Sequence, residues 1–226
     1  MSIKVKICGI TNLADAEAAS AAGADYLGFV LWPRSKRAVP AATVREIARQ
    51  LRRRERRPLL VGVFVDETAE KMAQMLDECG LDLAQLSGDE PPALVGDAAS
   101  PLYGRSYKAL RPATVAEAEV EAEWYLPPQP AADRPALLLD TYHPTLPGGT
   151  GQTSDWSVAA RLAQTVPGLM LAGGLTPENV GAAIRQVSPF AVDVASGVEA
   201  APGRKDHRLV RDFIARAAAA AAGNAA

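Results

Sequence analysis

The sequence contains few of the residues that build disulfide or metal scaffolds. Among 226 residues there are two cysteines, Cys8 and Cys79, and two histidines, His143 and His207. Two thiols are too few for the disulfide framework of a small secreted domain, and the histidines do not have the spacing of a zinc site. We therefore expect no metal and no organic cofactor, and a location in the reducing cytoplasm.

Long apolar runs are also lacking. No run approaches the roughly 20 residues that a membrane-spanning helix needs, and the first residues, MSIKVK, do not resemble the apolar core of a signal peptide. Lys and Arg number 24 against 26 Asp and Glu, a formal net charge of −2. This balance gives no overall attraction to nucleic acid or a membrane. The arginine-rich stretch 45–57 is interrupted by Glu46 and Glu55, so we favour a solvated helix face over an RNA- or membrane-binding patch.

What the sequence does have is a regular alternation of short apolar runs with amphipathic stretches, in eight pairs. Alternating strand and helix patterns are typical of βαβ units in a parallel sheet. The predicted strands cover residues 3–8, 25–30, 59–65, 81–86, 103–109, 136–140, 168–172 and 190–194. The predicted helices cover residues 12–22, 41–54, 68–79, 91–99, 113–123, 155–164, 177–186 and 206–220.

Eight such units in this length predict an α/β fold with a single (β/α)₈ TIM barrel. We assign residues 1–216 to the barrel and residues 217–226, which are mostly alanine, to a C-terminal tail that prolongs the last helix and then frays. A doubly wound open sheet is the competing architecture. In a barrel the active site lies at the C-terminal ends of the strands, so the residues at the strand exits are the candidates for chemistry.

Glycine turns follow strands seven and eight. Gly173-Gly174 precedes a helix for which Thr176 and Pro177 predict the N-cap and first position. Ala195-Ser196-Gly197 follows strand eight. Free backbone N–H groups in such turns bind anions, and barrels often bind phosphate at these two exits. A glycine pair alone more often marks a tight turn, but two turns at neighbouring exits predict a phosphate site on the C-terminal face.

Groups capable of proton transfer end strands one and six. Cys8 could be a small buried hydrophobic residue, which is the commoner case. A catalytic thiolate needs cationic neighbours, and Lys6 lies two residues away, on the same face of the strand. Asp140 follows four apolar residues, and a carboxylate there is costly unless it is partnered or functional. Asp140 is therefore the stronger functional candidate on this evidence.

Several motifs, in order along the chain, resemble those of phosphoribosylanthranilate isomerases. The resemblance covers the whole chain up to the alanine-rich tail, and the ordered set of motifs is far more specific than any one of them. The matching segments are residues 6–11 (KICGIT), 23–30 (GADYLGFV), 33–37 (PRSKR), 61–65 (VGVFV), 148–151 (GGTG), 155–156 (DW), 171–180 (LAGGLTPENV) and 192–199 (VDVASGVE).

The resemblance implies an Amadori rearrangement of N-(5-phosphoribosyl)anthranilate in tryptophan biosynthesis. It implies that Asp140 is the general acid that opens the furanose ring and that Cys8 is the general base that removes the proton from the second sugar carbon. Arg37 would pair with the anthranilate carboxylate, and Asp193 would assist near the site. The phosphate would be held by Gly173, Gly174, Ser196 and Gly197. The expected partner is this small phosphorylated substrate, with no nucleic acid and no membrane.

Three positions depart from the family pattern. Ser87 stands where many members have histidine, Ser154 where an aromatic residue is common, and Ala195 where serine is common. These departures concern substrate affinity more than the type of reaction. The alternatives are another phosphate-binding barrel enzyme, such as indoleglycerol-phosphate synthase or an aldose–ketose isomerase of histidine biosynthesis, and a non-catalytic barrel that binds phosphate or RNA. Both a monomer and a homodimer are compatible with the sequence.

Overall fold

Eight parallel strands form a closed barrel in the computed structural model, which describes residues 3–53, 57–141 and 156–223. Each strand pairs with the next along the chain, and β8 closes the ring on β1. The TIM-barrel prediction is confirmed. The strands are β1 (Lys4–Cys8), β2 (Tyr26–Val30), β3 (Leu59–Phe64), β4 (Leu83–Leu86), β5 (Ser106–Leu110), β6 (Leu137–Asp140), β7 (Leu169–Ala172) and β8 (Ala191–Val194).

A helix follows each strand, and several of the helices begin at a polar side chain that caps the first turn. Asn12, Thr68 and Thr114 each accept a hydrogen bond from a backbone N–H of the first helical turn that follows them. The helices are α1 (Leu13–Ala22), α2 (Ala41–Leu51), α3 (Ala69–Cys79), α4 (Ala93–Gly96), α5 (Val115–Tyr125), α6 (Ser157–Leu162), α7 (Val180–Val187) and α8 (His207–Gly223).

The buried apolar residues form two clusters, one inside the barrel and one between the strands and the helices. Side chains alternate along each strand, so every second residue points inward. The outer cluster packs the helices onto the strands and includes Ile7, Leu27, Phe29 and Phe213. The inner cluster fills the barrel with Tyr26, Val61, Leu83, Tyr107, Leu138 and Met170. The barrel is therefore a packed core with its site at one end.

Strand register brings polar side chains to the same level of the barrel. Lys6 on β1 pairs with Asp193 on β8, and Asp140 on β6 pairs with Ala172 on β7. Because Leu138 and Ala172 belong to the inner cluster, Asp140 also points inward. The inward side of β1 thus carries Lys6 and, one step nearer the C-terminal end, Cys8.

Two features after β7 and β8 differ from the predicted pattern. Helix α7 begins at Val180, three residues later than predicted, so the assignment of Thr176 and Pro177 as its N-cap and first position is wrong. Asn179 accepts from the Thr176 N–H and donates to the Gly174 carbonyl, which holds the preceding segment as a turn. Beyond β8, a 3₁₀ turn (Ser196–Val198) leads into a small antiparallel hairpin, β9 (Glu199–Ala201) and β10 (Arg204–Lys205), which the sequence pattern did not indicate.

The first seven residues of the alanine-rich tail lie in helix α8. Ala217 and Ala220 are buried against the body of the protein, so this part of the tail packs as helix. The division of the chain at residue 216 stays a prediction. Within the described ranges, no helix is both long and apolar enough to cross a membrane.

Candidate active site

Cys8 lies at the C-terminal end of β1 with its thiol directed into the mouth of the barrel. It is almost fully buried. A Cβ atom built on Gly28 of the neighbouring strand would lie 2.7 Å from the Cys8 Sγ and 3.1 Å from the Lys6 Cε. Since no side chain fits there, glycine at position 28 leaves the space in which the thiol and the end of Lys6 meet. The expectation that Lys6 shares the face of Cys8 is confirmed, and that face is the inner one.

Lys6 is fully buried and is held by a network of polar side chains inside the barrel. Its Nζ donates to the Asp193 Oδ2 at 3.0 Å and to the Gln85 Oε1 at 2.9 Å. The Tyr107 hydroxyl donates to the same Gln85 oxygen at 3.0 Å. Burial is the largest single effect and opposes the charge of the ammonium, but Asp193, with smaller contributions from Cys8 and Tyr107, outweighs it in sum, so the pKa of Lys6 is raised. The ammonium therefore stays charged in this interior.

The electrostatic environment of Cys8 combines opposing effects. Burial raises the pKa of the Cys8 thiol above its ordinary value, and the negative charge of Asp193 adds to this. The ammonium groups of Lys6 and Lys205 act in the other direction because they favour a thiolate. Two cations therefore offset part of the cost of ionising this buried sulfur.

Asp140 ends β6, across the barrel mouth from Cys8. Strands β7 and β8 separate the two residues on one side of the ring. The Asp140 Oδ2 lies 3.4 Å from the Nε of the exposed Arg111, which follows β5. The negative charge of Asp140 also helps to raise the pKa of Asp193, after the larger effect of burial. The two carboxylates therefore face the same interior space.

The turns after β7 and β8 touch each other. Gly173 and Gly174 both have positive φ angles, 101° and 62°, a conformation that glycine adopts without steric cost. A Cβ atom on Gly197 would overlap the Leu175 carbonyl oxygen and approach the Thr176 Cα to 3.2 Å. Glycine at 197 therefore lets the two exits lie backbone to backbone, where their N–H groups can form one anion-binding surface.

Arg37 lies near the mouth of the barrel, but its partner in the structure is a carboxylate of the chain itself. Its Nε and Nη2 donate to the two oxygens of Glu199 at 2.8 Å and 2.7 Å. Lys205 binds the same carboxylate at 3.0 Å and the Ala195 carbonyl at 3.0 Å. Burial would raise the pKa of Glu199, yet these cationic donors lower it, so the carboxylate stays ionised.

The pairing with Glu199 leaves part of the Arg37 guanidinium for a ligand. A guanidinium has five N–H groups in a planar fork, and Glu199 takes two of them, one on Nε and one on Nη2. The two N–H groups of Nη1 and the second one of Nη2 form another edge of the same plane. That edge has the geometry for a second carboxylate.

Sequence reasoning missed four residues of this site. Glu199 belongs to one of the matching motifs but received no role, and the signal for Lys205, a lysine just before the last helix, is slight. No sequence pattern indicated a role for Gln85 or Arg111, and their contacts with Lys6 and Asp140 in the structure bring them into the site. Ser87, one of the departures, accepts a hydrogen bond from Gln85 at 3.2 Å.

Some candidate positions lie outside the described residues, namely 148–151, 154 and 155 in the loop after β6, and His143. Over the part of the chain that the structure describes, no group of three or more His, Cys, Asp or Glu side chains could hold a metal ion. The described site therefore consists of a thiol, carboxylates, cations and glycine turns.

Comparison with known proteins gives one consistent family. The family model for N-(5'-phosphoribosyl)anthranilate (PRA) isomerase matches residues 5–216. The isomerase of that name from Pelobacter propionicus is 45% identical over 214 residues, which are 94% of both chains. The phosphoribosyl anthranilate isomerase structure from Thermotoga maritima has a TM-score of 0.81 at 40% identity, over 95% of this chain and 98% of that one.

A further solved structure shows a phosphoribosyl anthranilate isomerase in complex with reduced 1-(o-carboxyphenylamino)-1-deoxyribulose 5-phosphate. It has a TM-score of 0.78 and 38% identity to this chain, over 95% of this chain and 98% of that one. The similarity thus extends over the whole barrel, including every described strand exit that carries a candidate residue.

Proposed function

The chain belongs to the N-(5'-phosphoribosyl)anthranilate isomerase family, and from this premise we propose that Cys8 and Asp140 are the base and the acid of its reaction. The protein isomerises N-(5'-phosphoribosyl)anthranilate, a small phosphorylated molecule, in the biosynthesis of tryptophan. This assignment decides against the other phosphate-binding barrel enzymes and against a non-catalytic barrel.

Ring opening is the step that needs an acid. We assign it to Asp140, whose carboxyl group protonates the furanose ring oxygen while the bond from that oxygen to the first sugar carbon breaks. The lone pair of the anthranilate nitrogen forms the C=N bond of the resulting Schiff base. The Asp140 side chain points into the barrel mouth and is partly exposed there. A positioned acid of this kind typically contributes 10²- to 10⁴-fold to the rate.

Isomerisation then needs a base. The Cys8 thiolate takes the proton from the second sugar carbon, so that the C–H bond breaks, an S–H bond forms and the electron pair moves toward the nitrogen. The resulting enolamine tautomerises to the ketone. Cys8 and Asp140 come from non-adjacent strands and point into one mouth. A ligand bound between them has the acid on one side and the base on the other.

Substrate binding uses both ends of the molecule. We assign the phosphate to the backbone of Gly173, Gly174, Ser196 and Gly197, because the close approach of the two turns supports a single anion site. We assign the anthranilate carboxylate to the remaining edge of the Arg37 guanidinium. With both ends held, the reacting carbons stay near the acid and the base, which is the usual source of large rate gains from positioning.

Asp193 has a separate place in this scheme. Its Oδ2 is bound to Lys6, whereas its Oδ1 is buried without a hydrogen-bond partner among the described residues. A buried acceptor without a donor is costly. We therefore assign the Asp193 Oδ1 to a hydroxyl group of the bound substrate, which would supply that donor.

The cellular setting follows from the same premise. We place this biosynthetic protein in the cytoplasm, since the described structure has both Cys8 and Cys79 as free thiols and a reducing compartment keeps them so.

The observation that carries the proposal is that Cys8 and Asp140 face one barrel mouth in a chain that the family model matches over residues 5–216. The test is turnover of freshly generated phosphoribosylanthranilate, followed by the loss of its fluorescence. The wild type is compared with Cys8→Ser and Asp140→Asn. We expect an active wild type and both variants slower by at least roughly 10²-fold, with circular dichroism unchanged.

Each outcome has a distinct meaning. An active wild type with an unimpaired Cys8→Ser variant would leave the reaction in place and remove Cys8 from the role of base. An unimpaired Asp140→Asn variant would do the same for the acid. A folded but inactive wild type would contradict the assigned reaction itself.

A further inference from the structure

Lys6 is a buried ammonium that the proposed acid–base steps do not use. It is fully buried on the inner side of β1, two residues before Cys8. Burying a cation is costly unless it is paired and hydrogen-bonded. Its partners Asp193 and Gln85 offset that cost, but they do not explain why a cation is placed directly below the thiol.

The position of Gly28 shows how close the two groups are. The Cys8 Sγ and the Lys6 Cε both lie within 3.1 Å of the point where a Gly28 Cβ atom would be. The thiol and the end of the lysine chain therefore share one small space on the inner wall of β1 and β2. A charge in this space is shielded from water, so its effect on a neighbouring charge is far larger than in solvent.

The donors of Lys6 are also arranged for this contact. An ammonium has three N–H groups. One donates to Asp193 and one to Gln85, at 3.0 Å and 2.9 Å. These two bonds hold the Nζ in place and leave one N–H for the Cys8 sulfur, with which Lys6 also has a side-chain hydrogen-bond interaction. A sulfur that carries a negative charge is a good acceptor for it, and a neutral thiol is a poor one.

We propose that Lys6 is a positioning residue that holds the Cys8 sulfur as a thiolate when it acts on the substrate, with Asp193 and Gln85 fixing Lys6 in place. This inference rests on the proposed role of Cys8 as the base. In the step itself the thiolate gains the substrate proton and becomes a thiol, while Lys6 keeps all three of its protons. The positive Schiff base becomes a neutral enolamine, so the charges balance.

The charged and titratable groups that face Cys8 come from several elements. Lys6 is on β1, Tyr107 on β5, Asp193 on β8 and Lys205 on β10, and Arg37 also has an electrostatic interaction with the thiol. Lys6 is the cation with the largest effect among them, and Lys205 has a smaller one. The negative charge of Asp193 acts in the opposite direction and raises the pKa of the Cys8 thiol. Removing the charge of Lys6 and removing that of Asp193 should therefore shift the Cys8 titration midpoint in opposite directions.

The experiment is a carbon NMR titration of Cys8 in protein labelled at cysteine Cβ, with Cys79→Ser present throughout so that one thiol remains. Lys6→Met should raise the titration midpoint by about one pH unit or more, or keep Cys8 as a thiol up to the highest pH at which the protein stays folded. Asp193→Asn keeps an acceptor for Lys6 but removes the negative charge. It should lower the midpoint of Cys8.

Lys108→Met is the matched control because Lys108 is also a buried lysine at the third position of a five-residue strand, paired with Glu90 at 2.7 Å. It should leave the Cys8 midpoint unchanged. The proposal is overturned if Lys6→Met leaves the midpoint in place, if Lys108→Met moves it as much, or if Asp193→Asn raises it. If Lys6→Met does not fold, Lys6→Gln, which keeps a polar group for Asp193 and Gln85 but removes the positive charge, takes its place with the same expected rise of the Cys8 midpoint. The titration is independent of turnover, so a failure of Cys8 as the base would be seen separately in the activity of Cys8→Ser.

Discussion

Among single residues, Glu199 determines how Arg37 is presented to a ligand. The nearly buried carboxylate takes one edge of the guanidinium through two hydrogen bonds and is itself held by Lys205. An arginine side chain has many rotamers, and fixing it before the ligand arrives lowers the entropic cost of binding. Glu199 thus acts on the substrate through Arg37.

We expect Glu199→Gln to raise KM by roughly tenfold, about 1.4 kcal/mol of lost binding, with little change in kcat. The amide keeps the shape but loses the charge and turns a donor toward Arg37 or Lys205. Steady-state kinetics with phosphoribosylanthranilate measure both constants. A fall in kcat with an unchanged KM would show that Glu199 acts on the chemical step instead.

Asp82→Asn is the control for this experiment. Asp82 holds Arg57 through a similar bidentate pair, with distances of 2.8 Å and 3.0 Å. It precedes β4, at the opposite end of the barrel from the site. Both kinetic constants should therefore stay at wild-type values in this variant.

At the scale of elements, the phosphate site depends on contact between two loops. The turn after β7 is fixed by Asn179, which binds both Thr176 and Gly174. The turn after β8 approaches it through Gly197, where any side chain would meet the Leu175 carbonyl. The distance between the two turns is thus set by the absence of a single Cβ atom.

Gly197→Ala should separate these turns and weaken the hold on phosphate. We expect KM to rise by roughly tenfold or more, because displacements near 1 Å cause large losses in positioned sites. KM should change more than kcat, and competitive inhibition by inorganic phosphate should weaken in parallel. An unchanged inhibition constant for phosphate would argue against this location of the phosphate site.

Gly96→Ala provides the comparison, because a Cβ atom at Gly96 has no heavy atom within 4 Å. It lies at the end of the short helix α4. We expect kinetic constants like those of the wild type, which would separate the steric effect at Gly197 from the general effect of adding a methyl group.

For the molecule as a whole, Asp15 joins the first βα unit to the last. Its carboxylate accepts from the Lys205 backbone N–H at 2.9 Å and lies 2.8 Å from the His207 Nε2. Asn12 donates to the same carboxylate at 2.8 Å. These contacts lie where α1 packs against the start of α8, beside the β1–β8 pairing that closes the barrel.

Stability should therefore depend on pH through Asp15. Burial would raise the pKa of Asp15, but the bonds from Lys205, His207 and Asn12 lower it below its ordinary value. A carboxylate with a lowered folded-state pKa stabilises the fold above the unfolded-state pKa, near 4, and this contribution is lost as pH falls through the folded-state value. We expect Asp15→Asn to lower the free energy of unfolding by about 1.5–3 kcal/mol at pH 7. The difference from the wild type should shrink below about pH 4.

Urea unfolding at several pH values measures this difference. Asp77→Asn removes an exposed pair with Arg105 and should change the free energy of unfolding by less than about 1 kcal/mol at each pH. A gap between wild type and Asp15→Asn that is as large at pH 3 as at pH 7 would contradict the assigned role of ionised Asp15.

The accuracy of the sequence-based prediction differs between parts of the fold. The eight strands were identified because each is a short apolar run beside an amphipathic helix, and both patterns are read within a few residues. The hairpin of β9 and β10 was missed because five residues of mixed polarity give no periodic signal. The start of α7 was placed too early because the roles of Thr176 and Asn179 depend on side-chain hydrogen bonds.

The sequence by itself determined the barrel, the family resemblance, and Cys8 and Asp140 as residues at strand exits, since these depend on local pattern and motif order. Only the tertiary structure decided which charges face each other. Lys6 meets Asp193, and Arg37 meets Glu199, across separations of 187 and 162 residues. No local pattern encodes such pairs. They form because closing β8 onto β1 brings the two ends of the chain together around one interior of low dielectric constant, where each buried charge needs a partner.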